Sequence, residues 1–187
     1  AASDVYKRQV YQYQHDRSPK ELLFQFTRCM VHFAVDDAQV KFCTRLQGKE
    51  SWFLPFNKGY KDGAGNPPNP DGLMTDYLWK QVLTKDMLSR IIENYATLVE
   101  EKDEETGKTR YKQIFPRYHQ LTAVESLLAD VKKNGVGNRY LIQHSAGSGK
   151  SNSIAWLAHQ LTGLEDAQGN LLVDSVIVVT DRVVLDK

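Results

Sequence analysis

One short stretch restricts the folds available to this chain more than any other: the Gly-rich segment 144–151, His-Ser-Ala-Gly-Ser-Gly-Lys-Ser. An apolar run at 140–142 precedes it, and apolar residues at helical spacing follow it between 152 and 161. Small residues let successive backbone N–H groups turn towards an anion, and a helix that starts near Lys150 adds the positive end of its dipole. Strand, Gly-rich turn and helix in this order predict a phosphate-binding loop.

Each residue of this loop has an expected role in binding a nucleotide. Lys150 is expected to reach the β- and γ-phosphates, and the Ser151 hydroxyl to complete the coordination of Mg²⁺. The consensus G-x-x-x-x-G-K-[ST] has Gly where this chain has His144, at the strand end and away from the phosphates. The alternative is a chance string in a surface turn, which the flanking patterns disfavour. The residues expected to contact the nucleotide are Ala146, Gly147, Ser148, Gly149, Lys150 and Ser151.

The charge balance excludes a global attraction to nucleic acid. The 187 residues include 24 basic and 23 acidic side chains, a formal net charge of +1, so any DNA contact must be local. Cys29 and Cys43 lie in strand-like stretches and suit buried thiols in a reducing compartment. No apolar stretch approaches the length of a membrane span, and the N-terminus lacks the layout of a secretory signal. We therefore expect a cytoplasmic protein without a membrane partner.

The first part of the chain predicts an antiparallel β-sheet. Strand-like runs occupy 29–35, 39–46 and 51–56, and Asp-Asp-Ala at 36–38 is good turn chemistry between the first two. His32 and Trp52 lie within these runs. For both, core packing is favoured over a ligand role.

The middle of the chain predicts a connector. Segment 57–72 is rich in Gly, Pro and Asn, which excludes regular structure and favours an ordered loop over a flexible tether. A helix is expected to start at Thr84, with apolar residues repeating at helical intervals. Segment 100–110 is densely charged with both signs and predicts an exposed loop. The residues of the helical repeat are Met87, Ile91, Ile92, Tyr95 and Leu98.

The last part predicts an α/β unit. An amphipathic helix runs through Val124, Leu127, Leu128 and Val131, and the continuous apolar run 175–179 suits a parallel strand buried on both faces. The fold class is thus α/β: a β-rich unit at 1–56, a loop and helical connector at 57–114, and a phosphate-binding-loop (P-loop) unit at 115–187.

Two further elements resemble those of superfamily 2 helicases. Gln120, thirty residues before Lys150, is similar to the glutamine that reads adenine in those motors, where an amide can donate and accept at once. Thr180, Asp181 and Arg182 resemble motif Ia, whose residues touch the nucleic-acid backbone. The alternative is that Thr180 and Asp181 cap the next helix, as Ser, Thr and Asp commonly do. The resemblance implies ATP, with Mg²⁺, as the cofactor.

At a finer level the chain resembles the restriction (R, motor) subunit of type I restriction-modification enzymes. The strings that carry this resemblance, in order, are 53–59, 63–70, 75–79, 115–120, 141–151 and 180–182. The resemblance implies an ATP-driven translocase on double-stranded DNA that carries a PD-(D/E)xK-type nuclease domain and works with methylation and specificity subunits. The resemblance implies that segment 1–56 is the C-terminal part of that nuclease-type domain, the end of a mixed β-sheet. It implies that 115–187 is the N-terminal part of a RecA-like motor lobe.

The catalytic residues of both activities are expected outside this chain. The nuclease carboxylates would precede it, and the acidic Mg²⁺ motif of the motor and its second lobe would follow it. Gln9 and Tyr13, four residues apart, resemble a Gln-x-x-x-Tyr element that supports the nuclease centre. Residues 1–9 also resemble a translated sequencing adaptor rather than native sequence.

We therefore interpret the chain as an internal fragment that binds nucleotide weakly and has no ATPase, translocase or nuclease activity alone. Two alternatives stay open. One is another superfamily 2 helicase or remodeller, and the other is a non-catalytic nucleotide-binding module.

Overall fold

A computed structural model describes residues 4–61, 63–102 and 107–180. The chain divides into two compact units, Ala1–Tyr118 and His119–Lys187, called here the first and second units. The α-helices are α1 (Val5–Tyr11), α2 (Lys85–Asn94), α3 (Tyr118–Asn134) and α4 (Lys150–Leu161). The strands are β1 (His32–Val35), β2 (Val40–Cys43), β3 (Leu54–Pro55), β4 (Thr97–Lys102) and β5 (Thr109–Ile114). Short π-helical turns cover Gln12–Asp16 and Leu78–Val82, and a 3₁₀ turn covers Leu22–Phe24.

The first three strands form the predicted antiparallel sheet, in the order β1-β2-β3. The register places His32 opposite Cys43 and Val35 opposite Val40. Asp36 closes the turn between them, because its Oδ1 accepts hydrogen bonds from the backbone N–H groups of Ala38 (2.9 Å) and Gln39 (2.7 Å). The predicted turn and sheet are confirmed.

Aromatic side chains fill the core of the first unit. Phe56 is fully buried, and its ring lies 5.6 Å from that of Phe33, 5.7 Å from Phe42 and 5.8 Å from Tyr118. The buried Tyr77 hydroxyl donates to the Phe56 carbonyl at 2.6 Å, and burial raises the pKa of that hydroxyl. This core joins the sheet to the segments that follow it.

The predictions for His32 and Trp52 have opposite outcomes. His32 is buried, as predicted, but the prediction for Trp52 is wrong, since its side chain is 76% exposed. The reason is the tight turn before it: the Ser51 N–H donates to the Gly48 carbonyl, and the Ser51 side chain points inward. In an extended chain the next side chain then points to the opposite side.

In the described part of the connection 57–72, two asparagine amides fix the backbone, as expected for an ordered loop. Asn57 Oδ1 accepts from the Val40 N–H at 2.8 Å and from the Asn66 amide at 2.9 Å. Asn66 also accepts from the Lys58 N–H and donates to the Ala38 carbonyl, both at 2.8 Å. These bonds supply the partners that a helix or strand would otherwise give to the backbone.

Thr84 caps α2 as predicted, and its hydroxyl accepts from the Met87 N–H at 3.4 Å. Two neighbouring predictions are wrong. Leu98 lies in β4, and of the charged segment 100–110, residues 100–102 lie in β4 and 109–110 in β5. Residues 103–106 of that segment lie outside the described residues. Strands β4 and β5 pair from Thr97 opposite Ile114 to Lys102 opposite Thr109. Leu98 satisfies both a helical and a strand pattern, and pairing across the hairpin decides between them.

The second unit contains the predicted helices but lacks the predicted strands in its described part. Segments 140–142 and 175–179 have no regular secondary structure, and Leu141 is 93% exposed and Ile177 85% exposed. A buried parallel strand needs a neighbour to satisfy its backbone, and neither segment belongs to a sheet of the described residues. The α/β prediction therefore holds as a mixture of helices and small antiparallel sheets.

Candidate nucleotide-binding site

The Gly-rich loop turns directly into α4. Gly147 (φ +70°) and Gly149 (φ +82°) both adopt the left-handed conformation that favours glycine, and Gly149 is the N-cap residue of α4. The Gly149 carbonyl accepts from the N–H groups of Asn152 and Ser153, which begin the helical hydrogen bonding. The loop thus brings its backbone to the positive end of a helix of twelve residues.

Gln120 lies against this loop although 29 residues separate it from Gly149. Its amide Nε2 donates to the Gly149 carbonyl at 2.7 Å, and its side chain is only 3% exposed. A Cβ placed on Gly149 would come within 2.5 Å of that same nitrogen, so the close approach requires glycine. The structure brings together the loop and the glutamine expected at the adenine; the contact of Gln120 with adenine stays a prediction.

His119 also contacts the loop, a feature that the sequence analysis missed. Its Nε2 lies 3.1 Å from the Ser148 carbonyl oxygen. Its ring meets that of His144 edge-to-face, with centroids 4.8 Å apart and an interplanar angle of 81°. The available signal was its place directly before Gln120.

The Lys150 ammonium group is held by carbonyl groups of the loop. Nζ donates to the Ser145 carbonyl at 2.9 Å and to the His144 carbonyl at 3.2 Å. The residue itself is exposed. The exposed Lys150 ammonium can exchange these carbonyl partners for phosphate oxygens, because their negative charge attracts it more strongly.

Two serines differ in what they offer to a ligand. Ser151 is exposed in the first turn of α4. Its hydroxyl oxygen is the kind of ligand that Mg²⁺ binds together with phosphate oxygens and water. Ser148 is 5% exposed, and its Oγ is buried without a hydrogen-bond partner within the described ranges. The same ranges hold no group of three or more His, Cys, Asp or Glu side chains that could bind a metal.

Gln9 and Tyr13 belong to the first unit, and the set at 180–182 lies largely outside the described residues. The Gln9 amide bonds both backbone groups of Val35, at 2.8 and 2.7 Å, and the Tyr13 hydroxyl donates to the Phe33 carbonyl at 3.4 Å. These contacts join α1 and the following π-helical turn to β1. Thr180 is the last described residue, and Asp181 and Arg182 lie outside the described residues.

Comparison with known proteins bears on the second unit. The model of the SWI2/SNF2 ATPase family matches residues 119–187. Searches among curated proteins and among solved structures found no match. The family match supports a helicase-like ATPase of superfamily 2 that binds nucleotide. Within the ranges that the structure describes, every helix is too short or too polar to cross a membrane.

Proposed function

We propose that this chain carries the ATP-binding loop of a DNA-translocating motor of superfamily 2. One observation carries the proposal: three features contact one another in the second unit. They are the glycine loop, the Lys150 ammonium bonded to the Ser145 carbonyl, and the Gln120 amide bonded to the Gly149 carbonyl. The SWI2/SNF2 ATPase match over 119–187 supports the same function independently. In such a motor the unit would bind ATP and hydrolyse it together with residues elsewhere in the protein.

Each group has a defined task in this proposal. Backbone N–H groups of residues 146–149 and the N-terminus of α4 bind the phosphates. Lys150 leaves the carbonyls of Ser145 and His144 and bonds the β- and γ-phosphate oxygens. Gln120 binds the edge of adenine, and Ser151 holds Mg²⁺, which neutralises phosphate charge when it is bound.

Within this class, we propose that the parent protein is the restriction subunit of a type I restriction-modification enzyme. The β-rich region from Phe26 to Phe56, together with the Asn-Pro loop that follows it, supports this assignment, because an ordinary helicase has no reason to carry it. Its substrate would be double-stranded DNA, with Thr180, Asp181 and Arg182 on the DNA backbone, and its partners methylation and specificity subunits. Gln9 and Tyr13 would support the nuclease centre.

The SWI2/SNF2 match favours a second candidate, another ATP-dependent remodeller or helicase of superfamily 2. The two candidates also differ in whether the parent protein carries a nuclease centre. Sequencing the source gene in both directions separates them: an upstream Asp…Glu-x-Lys set indicates the restriction subunit, and its absence indicates the second candidate.

The direct test of nucleotide binding is a titration with a fluorescent ADP analogue in Mg²⁺. Lys150→Ala should weaken binding about 10- to 100-fold, because charge-assisted hydrogen bonds are lost. Lys133→Ala, an exposed lysine near the end of α3, is the matched control and should leave binding unchanged. Equal affinity of the wild type and Lys150→Ala would refute the proposal.

A second titration tests the base. The wild type should prefer ATP over GTP, and Gln120→Ala should abolish that preference. A preference for ATP that survives in Gln120→Ala would contradict the role of Gln120.

A further inference from the structure

The first position of the loop carries His144, and its ring has a specific neighbour. The edge-to-face contact with His119 joins the start of the loop to the first turn of α3 across 25 residues of sequence. Edge-to-face aromatic pairs fix the relative orientation of two rings. His144 therefore restricts the direction in which the His119 imidazole points.

The direction of the His119 imidazole matters because of the Ser148 carbonyl 3.1 Å from its Nε2. A carbonyl oxygen only accepts, so Nε2 must carry the hydrogen. A trans peptide is planar, and its C=O and N–H groups point in opposite directions. Holding the Ser148 carbonyl towards α3 thus turns the Gly149 N–H away from α3.

Gln120 does the same to the next peptide. It holds the Gly149 carbonyl at 2.7 Å, which turns the Lys150 N–H away from α3 as well. Two adjacent side chains of α3 thereby orient two consecutive peptide groups of the loop. N–H groups that are oriented before binding need no reorganisation when an anion arrives.

We propose that His119 and His144 are positioning residues for phosphate binding. His144 orients His119, and His119 aims the Gly149 N–H at the phosphates by holding the Ser148 carbonyl. His144, which stands where the consensus has glycine, then contributes to phosphate binding by orienting His119. This inference rests on the proposed nucleotide-binding function.

The test measures ADP affinity in a set of variants. His119→Ala and His144→Ala should each weaken binding about three- to tenfold, the usual worth of one such bond or ring contact. The double variant should be no weaker than His119→Ala, because both changes act through one hydrogen bond. His144→Phe keeps a ring at the position and should restore affinity. His159→Ala, an exposed histidine in the last turn of α4, is the control.

Two readouts separate positioning from general damage to the unit. Adenosine, which has no phosphate, should bind the wild type and His119→Ala equally. Nitrogen NMR of the imidazoles should show His119 as the Nε2–H tautomer in the wild type and as a mixture in His144→Ala, with or without nucleotide.

Each outcome then has one meaning. ADP affinities that are equal in the wild type, His119→Ala and His144→Ala overturn the proposal, as does a mixed His119 tautomer in the wild type. If the wild type fails to bind ADP while His119 shows the fixed tautomer, the nucleotide function fails and the orientation of the loop by His119 stands.

Discussion

The two units bury their apolar residues to very different extents. In the first unit, Phe56 and Tyr77 are fully buried around a paired sheet. In the second unit, α3 buries Val124 and Leu128, yet Leu141 and Ile177 face solvent. Both units therefore bury apolar side chains, and the contrast lies in the segments outside their helices.

The contrast follows from where hydrogen bonds are made. A helix satisfies its backbone within one segment, whereas a strand depends on a second segment. The loop between Ser145 and Lys150 is held by α3, α4 and its own carbonyls, so its geometry does not depend on a paired sheet. The candidate site can therefore be tested in this chain as it stands.

The largest expected effect is a loss of stability in the first unit. Phe56→Ala should lower the free energy of unfolding by about 4 kcal/mol, because it removes a buried ring and leaves a cavity. Leu141→Ala in the second unit should change it by less than about 0.5 kcal/mol, because that side chain is exposed. Urea unfolding of both variants checks the comparison. A large loss in Leu141→Ala would show that segment 140–142 is packed in solution.

A smaller effect is expected at the loop. Gly149→Ala should destabilise the second unit by about 2 kcal/mol, because alanine strains a left-handed backbone and displaces the Gln120 amide. The control is Gly163→Ala, where an added Cβ meets nothing within 4 Å. Hydrogen exchange of the α4 amides measures both variants. Equal protection in the two would mean that Gln120 does not hold the loop.

The third effect concerns the start of α2. Thr84→Ala should cost about 1 kcal/mol, because the Met87 N–H loses its cap. Thr84→Ser keeps the hydroxyl and should recover most of that stability. Urea unfolding distinguishes the two, and identical losses would show that the cap contributes nothing.

The smallest effect is a pH dependence in the first unit. Burial between the rings of Tyr13 and Phe24 lowers the pKa of His32, so the unfolded chain takes up this proton before the folded one. Stability contributed by neutral His32 is therefore lost as the pH falls through about 6.5. Unfolding at pH 7.5 and pH 5.5 should show this loss, and His32→Gln should reduce it. An unchanged pH slope in His32→Gln would contradict the assignment.

Local signals in the sequence were enough for several elements. The Asp36 turn, the Thr84 cap and helices α3 and α4 follow from residues within a few positions of one another, and all are present. The order in segment 57–72 was predicted from its Asn and Pro content. The particular amide pair of Asn57 and Asn66 was not, because it depends on the fold of β2 beside it.

The wrong predictions concern elements whose structure depends on other parts of the chain. The β4–β5 hairpin depends on pairing between 97–102 and 109–114, which the mixed charges of that region concealed. Trp52 depends on the turn before it, and segments 140–142 and 175–179 depend on neighbouring strands. At the candidate site, the nearness of Gln120 to the loop agrees with its proposed role. The contact of His119 with Ser148 spans 29 residues, and its place directly before Gln120 was the available signal for it.

The exposed run Val-Ile-Val-Val at 176–179 has a practical consequence for handling the protein. β-Branched residues without an intervening charge favour intermolecular strand pairing, and here the described part of the chain offers them no ladder. A second molecule can supply the missing hydrogen bonds, so self-association should increase with protein concentration. Purification should yield aggregates that a charged substitution at Ile177 reduces, and nucleotide titrations should be run dilute.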